Sequence, residues 1–346
     1  MPPDQGFPPG VPPGSRYAQR LAQARPELFQ AALAAIERPF EADAMRAYLE
    51  ARPAANEAAL KRTLRQLRQE VMLRVLLRDS SGRAPLAEVV ASMSDLAELG
   101  IDYALEHLCV WLEAQHGAPM ANGARQELIV VGMGKLGGRE LNVSSDIDLI
   151  FAYPEEGETV CSGPGLRPLS NHEYFTRLGR KLINALADIT EDGQVFRVDM
   201  RLRPNGDSGP LACSFDALEN YFIAEGREWE RYAWIKARVV ATSSNASVAA
   251  GRRDLPGELA AIARPFVFRK YLDFGAFAAM RSLHAQIRAE VARRDLAGHV
   301  KLGPGGIREI EFIAQAFQLI RGGRDADLQI RPTLEVLALL ERKGLL

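Results

Sequence analysis

From Arg16 to about Gln115 the apolar residues recur at steps of three and four, the period of a helix with one buried face. Leu60, Leu64, Leu67, Val71 and Val75 fall on one such face, and the arginines and glutamates between them are expected to form the wet side. Pro26 and Pro53 mark helix starts or breaks. At Glu127 the pattern changes. ELIVVGMG is a short β-branched run ending in glycine, as a buried strand requires, and DIDLIFAY is a second. SNHEYFTRLGRKLINALADIT returns to helical spacing, with Phe175, Leu178, Leu182, Ile183 and Leu186 inward. QVFRVDMRLRP reads as a third strand, closed by Pro204 and the turn-forming Asn205-Gly206. After about Phe215 the pattern is mostly helical, interrupted by glycine-containing loops near 251–257 and 298–306.

This spacing predicts an α+β protein, a small mixed sheet flanked by large helical regions. The expected divisions are a disordered Pro/Gly-rich tail over 1–15, a helical region over 16–125, a sheet-bearing core over 126–213 and a second helical region over 214–346. The final TLEVLALLERKGLL has no helix stop signal, so a longer parent chain is expected. There is no internal repeat.

With 346 residues, 47% hydrophobic and 25% charged, the chain has the balance of an ordinary soluble protein with ample core. A net charge of -1 gives no overall attraction to nucleic acid or to an anionic membrane, and neither is expected as a partner. Cys109, Cys161 and Cys213 are odd in number and form no CxxC or Cys/His cluster, so free thiols in a reducing cytoplasm are expected. No apolar run approaches the roughly 20 residues that span a bilayer, and the first residues lack the order of a signal peptide. A cytoplasmic protein is the expectation.

The chemistry concentrates in VGMGKLGGRELNVSSDIDLIF. Residues two apart in a strand face the same way, so Asp146 and Asp148 project together while Ile147, Leu149 and Phe151 point into the core. Paired carboxylates repel, and a hard divalent cation such as Mg2+ resolves the repulsion while leaving room for phosphate oxygens. Gly134, Gly137 and Gly138 permit close backbone approach to a phosphate, Lys135 adds positive charge, and Ser145 is placed with them as a nucleotide-binding candidate. Asp199 on the third strand is the candidate third carboxylate, with Arg201 and Arg203 on its side of that strand to meet phosphate oxygens.

The plain alternatives are a solvated Asp pair, an ordinary glycine turn and a surface aspartate. Each is ordinary alone, and the combination is much harder to dismiss. The loop is neither a Walker A GxxxxGK[ST] nor a GxGxxG, since a strand rather than a Rossmann helix is expected within about ten residues. Gly206-Asp207-Ser208-Gly209-Pro210 spells a serine-protease string, but a β-barrel and a histidine base are missing from the pattern, so it is taken as a turn. KLGPGGIREIEFIAQAF puts Lys301 and glycines before a helix starting near Ile307, either an anion site or a simple helix–helix turn.

GMGKLGGRELNVSSDIDLIF, VDMRLRPNGDSGPL and KLGPGGIREIEFIAQ together closely resemble the glutamine synthetase adenylyltransferase/adenylyl-removing enzyme family, from about Arg16 to the end. That family carries two nucleotidyltransferase domains of the DNA polymerase β type, and this chain resembles the N-terminal one, associated with removing AMP from a tyrosine of glutamine synthetase by phosphorolysis to give ADP. The resemblance implies that Asp146 and Asp148 are metal ligands and Asp199 the third. It also implies nucleotide (ADP, AMP or ATP) and phosphate as ligands, glutamine synthetase as protein substrate, and control by the PII signalling protein and by glutamine. The proline-rich start is not a family feature. Two alternatives stay open: the same fold running forwards as an ATP-using adenylyltransferase, and a catalytically silent regulatory module.

Overall fold

A computed structural model describes residues 10, 12, 14–160, 167–243, 253–270, 285, 289, 293 and 298–346. Cys161 and most of the tail expected over 1–15 lie outside the described residues. The chain opens with five helices, α1 (Arg16–Ala24), α2 (Pro26–Ala34), α3 (Ala42–Glu50), α4 (Glu57–Ser80) and α5 (Leu86–His116). Pro26 takes the first turn of α2, where its missing N–H costs nothing. The Asn56 carboxamide starts α4 by accepting from the Ala59 N–H at 2.9 Å. Leu60, Leu64, Leu67, Val71 and Val75 are buried as the helical period predicts.

A small antiparallel sheet joins β1 (Ala118–Ala121) to β2 (Ala124–Arg125) and to a later strand. The main sheet begins with β3 (Ile129–Gly132), followed by a one-turn helix α6 (Gly134–Gly137) and by β4 (Ile147–Tyr153). Next come β5 (Glu158–Val160), which completes the small sheet, and α7 (Asn171–Ala187), capped by Ser170, whose hydroxyl accepts from the Glu173 N–H at 3.1 Å. Then follow β6 (Val198–Asp199), β7 (Ala212–Ser214), α8 (Phe215–Ala224), α9 (Glu228–Ile235) and β8 (Arg238–Thr242). The helices α10 (Leu255–Val267), α11 (Ile307–Arg321) and α12 (Thr333–Arg342) complete the described elements.

The main sheet is mixed. Its order is β6-β4-β3-β8, with β3 antiparallel to both neighbours and β7 following β6 along the same edge of β4, each parallel to it. Both faces are covered. Val130, Ile147, Leu149 and Phe151 pack with α4, α5 and α7, while Ile129, Val131, Ile150 and Ala152 pack with α8, α9 and α10. The Val, Ile, Leu and Phe side chains among these each contribute about 1.5–3 kcal/mol by burial, and because both faces are covered β3 and β4 are apolar almost throughout rather than alternating.

Three expectations need correction. β8 lies inside 214–346, and β1 and β2 lie inside 16–125, so neither flanking stretch is wholly helical. RVVAT is apolar enough for a strand but too short to stand out between helices. The third strand stops at Asp199, because Met200–Pro204 turns away. The polar side of α4 is not all wet: Arg65 is fully buried.

Arg65 donates to the carbonyls of Gly193 (2.8 Å), Lys61 (2.8 Å), Ala185 (2.9 Å) and Asp188, which fastens the link from α7 to β6 onto α4. Burial lowers its pKa, an effect opposed by the charges of Asp188 and Asp192. Arg65→Met removes every one of these donors and leaves carbonyls without partners. The expected loss is about 2–4 kcal/mol of unfolding free energy in urea titration, and a loss under about 0.5 kcal/mol would show the clamp to be idle.

Candidate functional site

Asp146 immediately precedes β4 and Asp148 is its second residue, so the two share the face of the strand opposite Ile147 and Leu149. β6 runs parallel beside this end of β4, with Ile147 opposite Val198 and Asp148 directly opposite Asp199. The three candidate carboxylates therefore meet at one corner of the sheet. Burial, then the charges of Asp199 and Asp146, push the Asp148 carboxyl up to about 6, while Arg201 and Lys301 act the other way.

The outer two carboxylates have their own cations. Arg197 Nε pairs with Asp146, and Arg197 Nη2 donates to the Ser144 carbonyl at 3.3 Å. Arg201 donates to Asp199 from its backbone N–H at 2.9 Å and from Nε at 2.9 and 3.0 Å, which holds the Asp199 carboxyl below its usual range. With Asp146 and Asp199 turned onto arginines, no three Asp, Glu, His or Cys side chains among the described residues are gathered closely enough to hold an ion. In kind, however, the donor set is that of a hard divalent cation: three carboxylates from adjacent strand ends.

Arg203 does not share the Asp199 face. It lies in the turn beyond β6, where Nη1 donates to the Met200 carbonyl at 2.8 Å and stands 3.4 Å from Asp207. Period-two alternation does not extend to Arg203, because the strand ends at Asp199. Ser208 of the GDSG string donates to the Asn205 carbonyl at 2.8 Å within a 3₁₀ turn.

The glycine loop turns back from β3 toward this corner. Gly134 has φ +50°, and a Cβ placed there would stand 3.1 Å from Asp148 Oδ2, so its bare backbone keeps the carboxylate accessible. Lys135 Nζ lies 3.5 Å from Ser145 Oγ, whose hydroxyl donates to Asn142 Oδ1 at 2.9 Å. Burial, then the nearby charge of Lys301, lowers the pKa of Lys135. Gly137 has a different reason to be glycine. A Cβ there would meet the Lys236 carbonyl at 1.8 Å and the Gly132 carbonyl at 2.6 Å, so the loop is packed backbone to backbone against the turn into β8. Gly138 is buried above Glu140.

Nothing in the local pattern marks Arg197, although it lies two residues before Asp199 in the same run. Lys301, for which the sequence leaves an anion site and a helix–helix turn open, brings its charge to bear on both Asp148 and Lys135. Glu140 and Lys236 are likewise unmarked in the sequence. Lys236 is buried and donates to Glu140 Oε2 at 2.5 Å, to Glu311 Oε1 at 2.5 Å and to Thr333 Oγ1 at 2.9 Å.

Comparison with known proteins bears on this site. Residues 11–253 match the family described as Glutamate-ammonia ligase adenylyltransferase, and residues 281–346 match GlnD PII-uridylyltransferase. Over 333 residues the chain is 58% identical to a bifunctional glutamine synthetase adenylyltransferase/adenylyl-removing enzyme of Aromatoleum aromaticum, covering 96% of this chain and 34% of that protein. Proteins of the same name from Ralstonia nicotianae and Nitrosomonas eutropha are 56% and 54% identical, again over 96% of this chain and over 36% and 35% of their own lengths. These relatives are nucleotidyltransferases. The chain belongs to the glutamate-ammonia ligase adenylyltransferase family and spans about a third of the length of the curated relatives it matches.

Gly137→Ala is expected to destabilise the protein by about 2 kcal/mol or more, since a carbonyl cannot move aside as a side-chain tip can. Thermal or urea unfolding checks this, and wild-type stability would show that the close approach is slack.

Proposed function

We propose that the chain removes AMP from an adenylylated tyrosine of glutamine synthetase by phosphorolysis, releasing ADP. The observation that carries the reading is the register placing Asp148 opposite Asp199, with Asp146 on the same corner. The relatives' names, which specify both adenylyl transfer and adenylyl removal on glutamine synthetase, support the substrate. The long helical lead-in α1–α5 and the ELNVSSDIDLIF wording support the removing direction, through the resemblance to the N-terminal domain of the family. On this reading the mixed sheet is of the DNA polymerase β type, and its core is the stretch expected over 126–213, with β8 added.

In the reaction a phosphate oxygen forms a bond to the phosphorus of the tyrosine-linked AMP as the phosphorus–phenolate bond breaks. The phenolate leaves as an anion and takes a proton from solvent, and the phosphate with its new AMP group is ADP. A phenol pKa of about 10 makes the anion a tolerable leaving group without a dedicated acid. Asp146, Asp148 and Asp199 would hold Mg2+, which when bound supplies charge stabilisation at the phosphoryl oxygens. Lys135 and Lys301 offset phosphate charge from the glycine-loop side, and Arg201 does so from the Asp199 side. Ser145 orients Lys135. Gly134 leaves room beside Asp148, and Gly137 and Gly138 fix the loop from which its backbone meets a phosphate. The match of residues 281–346 to a PII-uridylyltransferase family supports PII signalling protein as a regulatory partner, with glutamine as the second signal.

The deciding assay supplies adenylylated glutamine synthetase with phosphate and Mg2+ and follows ADP. A parallel arm supplies unmodified glutamine synthetase with ATP. ADP release in the first arm alone is expected, and AMP incorporation in the second alone would reverse the assignment.

Asp148→Asn is expected to lower turnover by several orders of magnitude with the fold kept, because the change removes charge from an already crowded corner. Near-wild-type turnover would remove Asp148 from the mechanism.

Asp199→Ala should lower the chemical rate by on the order of a thousandfold while substrate affinity changes much less. Asp207 is exposed and pairs with Arg203 in the turn beyond β6, so Asp207→Ala should stay within about twofold of wild type. The opposite ranking of the two variants would mean that the third carboxylate has been misassigned.

A further inference from the structure

Away from the aspartates lies a cavity of about 350 Å³, between the β3–β8 edge of the sheet, α10 and the segment leading into α12. Its volume is that of a small-molecule pocket. Val131, Trp234, Leu259 and Phe268 make apolar walls, and none of Asp146, Asp148 and Asp199 lines it.

Its polar lining is cationic. Arg238 is fully engaged: its Nη2 donates to Glu98 at 2.6 Å and to the Leu136 carbonyl at 3.1 Å, and its Nε donates to the Gly137 carbonyl at 3.1 Å. Arg331 uses its Nε on the Ala237 carbonyl at 2.8 Å, and Arg264 stands at the exposed mouth. No ion pair joins either Arg331 or Arg264 to a carboxylate among the described residues, whereas Arg238 in the same lining is paired with Glu98. Arg331 is half-buried beside Arg238, and both burial and that neighbouring charge lower its pKa. An uncompensated guanidinium facing an apolar wall is costly, and an anion with an apolar body relieves the cost at both ends.

We propose that this cavity binds a small organic anion, its carboxylate or phosphate head on Arg331 and Arg264 and its apolar or aromatic body against Trp234 and Phe268. The site is separate from the carboxylate corner but not isolated from it. Arg238 holds two carbonyls of the glycine loop, and the Arg331 carbonyl approaches Gly138, where a Cβ would stand 3.5 Å from it. An anion drawing on Arg331 is thus one residue removed from the loop that carries Lys135.

Binding is read directly, so the outcome does not depend on the proposed phosphorolysis. The full chain is titrated calorimetrically with phenylacetate, with phenyl phosphate and with uncharged phenylacetamide. At least one anion is expected to bind with a Kd of about 1 mM or tighter. The amide should bind at least about tenfold more weakly, and which anion binds separates an organic acid from a phosphate ester. Arg331→Gln should weaken the anion by about ten- to hundredfold and leave the amide unchanged. Should that variant misfold by circular dichroism, Arg264→Gln at the exposed mouth serves the same comparison. The proposal is overturned by the absence of saturable binding of either anion up to about 10 mM, by an amide that binds as well as the anions, or by a folded arginine variant that binds normally.

Discussion

One buried ammonium ties the molecule together. Lys236, with a side chain 3% exposed, lies between Glu140 of the glycine loop and Glu311 of α11 and reaches Thr333 at the start of α12. Removing such a charge from water costs several kcal/mol, so the arrangement is favourable only with both carboxylates and the hydroxyl in place. Glu140 also accepts from the Thr333 N–H at 2.6 Å, which satisfies an otherwise open donor at the helix N-terminus. The backbone of Lys236 is as constrained as its side chain, since its carbonyl lies where a side chain on Gly137 would have to be. Loop, strand β8 and C-terminal helices are therefore positioned by one residue.

The carboxylate corner obeys a related electrostatic rule. Three like charges at the ends of β4 and β6 repel, and the fold places Arg197 beside Asp146 and Arg201 beside Asp199, while Asp148 has no ion pair of its own among the described residues and is eased only by the charges of Arg201 and Lys301. Asp148 is the group that burial and its two neighbours make costly to ionise, which marks it as the centre of the cluster rather than its edge. Arg139, on the other side of the loop, holds a left-handed φ of 55° and pairs with Asp95 and Glu98 of α5. Glu98 also takes Arg238, which donates to the Leu136 and Gly137 carbonyls, so α5 holds the C-terminal side of the glycine turn.

What could be read from the chain before folding was what periodicity encodes. The helical steps of α4 and α7, the apolar runs of β3 and β4 and the pairing of Asp146 with Asp148 all follow from periods of 3.6 and two. The mixed character of the sheet was legible too, because three short runs surrounded by amphipathic helices leave few other solutions. Burial of Arg65 and Lys236 was not, since a charged residue on a polar face looks the same whether it meets water or four carbonyls. Nor was the end of β6 at Asp199, which depends on the turn that follows rather than on the alternation through it. Gly137 was legible as a required glycine but not for its reason: a close approach to a phosphate and a close approach to the Lys236 carbonyl make the same demand on sequence.

The two family matches, over 11–253 and over 281–346, meet across this same lysine. Lys236 belongs to the first stretch and Glu311 and Thr333 to the second, so the ion network crosses from one to the other. Lys301, whose charge reaches Asp148 and Lys135, precedes α11 by a short turn in which the Arg308 N–H donates to the Lys301 carbonyl at 3.0 Å. Glu311 sits one turn further along that helix. Holding Glu311 on Lys236 therefore fixes where the start of α11 lies, and with it how close Lys301 comes to the carboxylates. The positive side of the corner is thus built partly from outside the sheet-bearing stretch. A disturbance of the C-terminal helices that loosened Glu311 would reach the site as a change in charge before any strand moved.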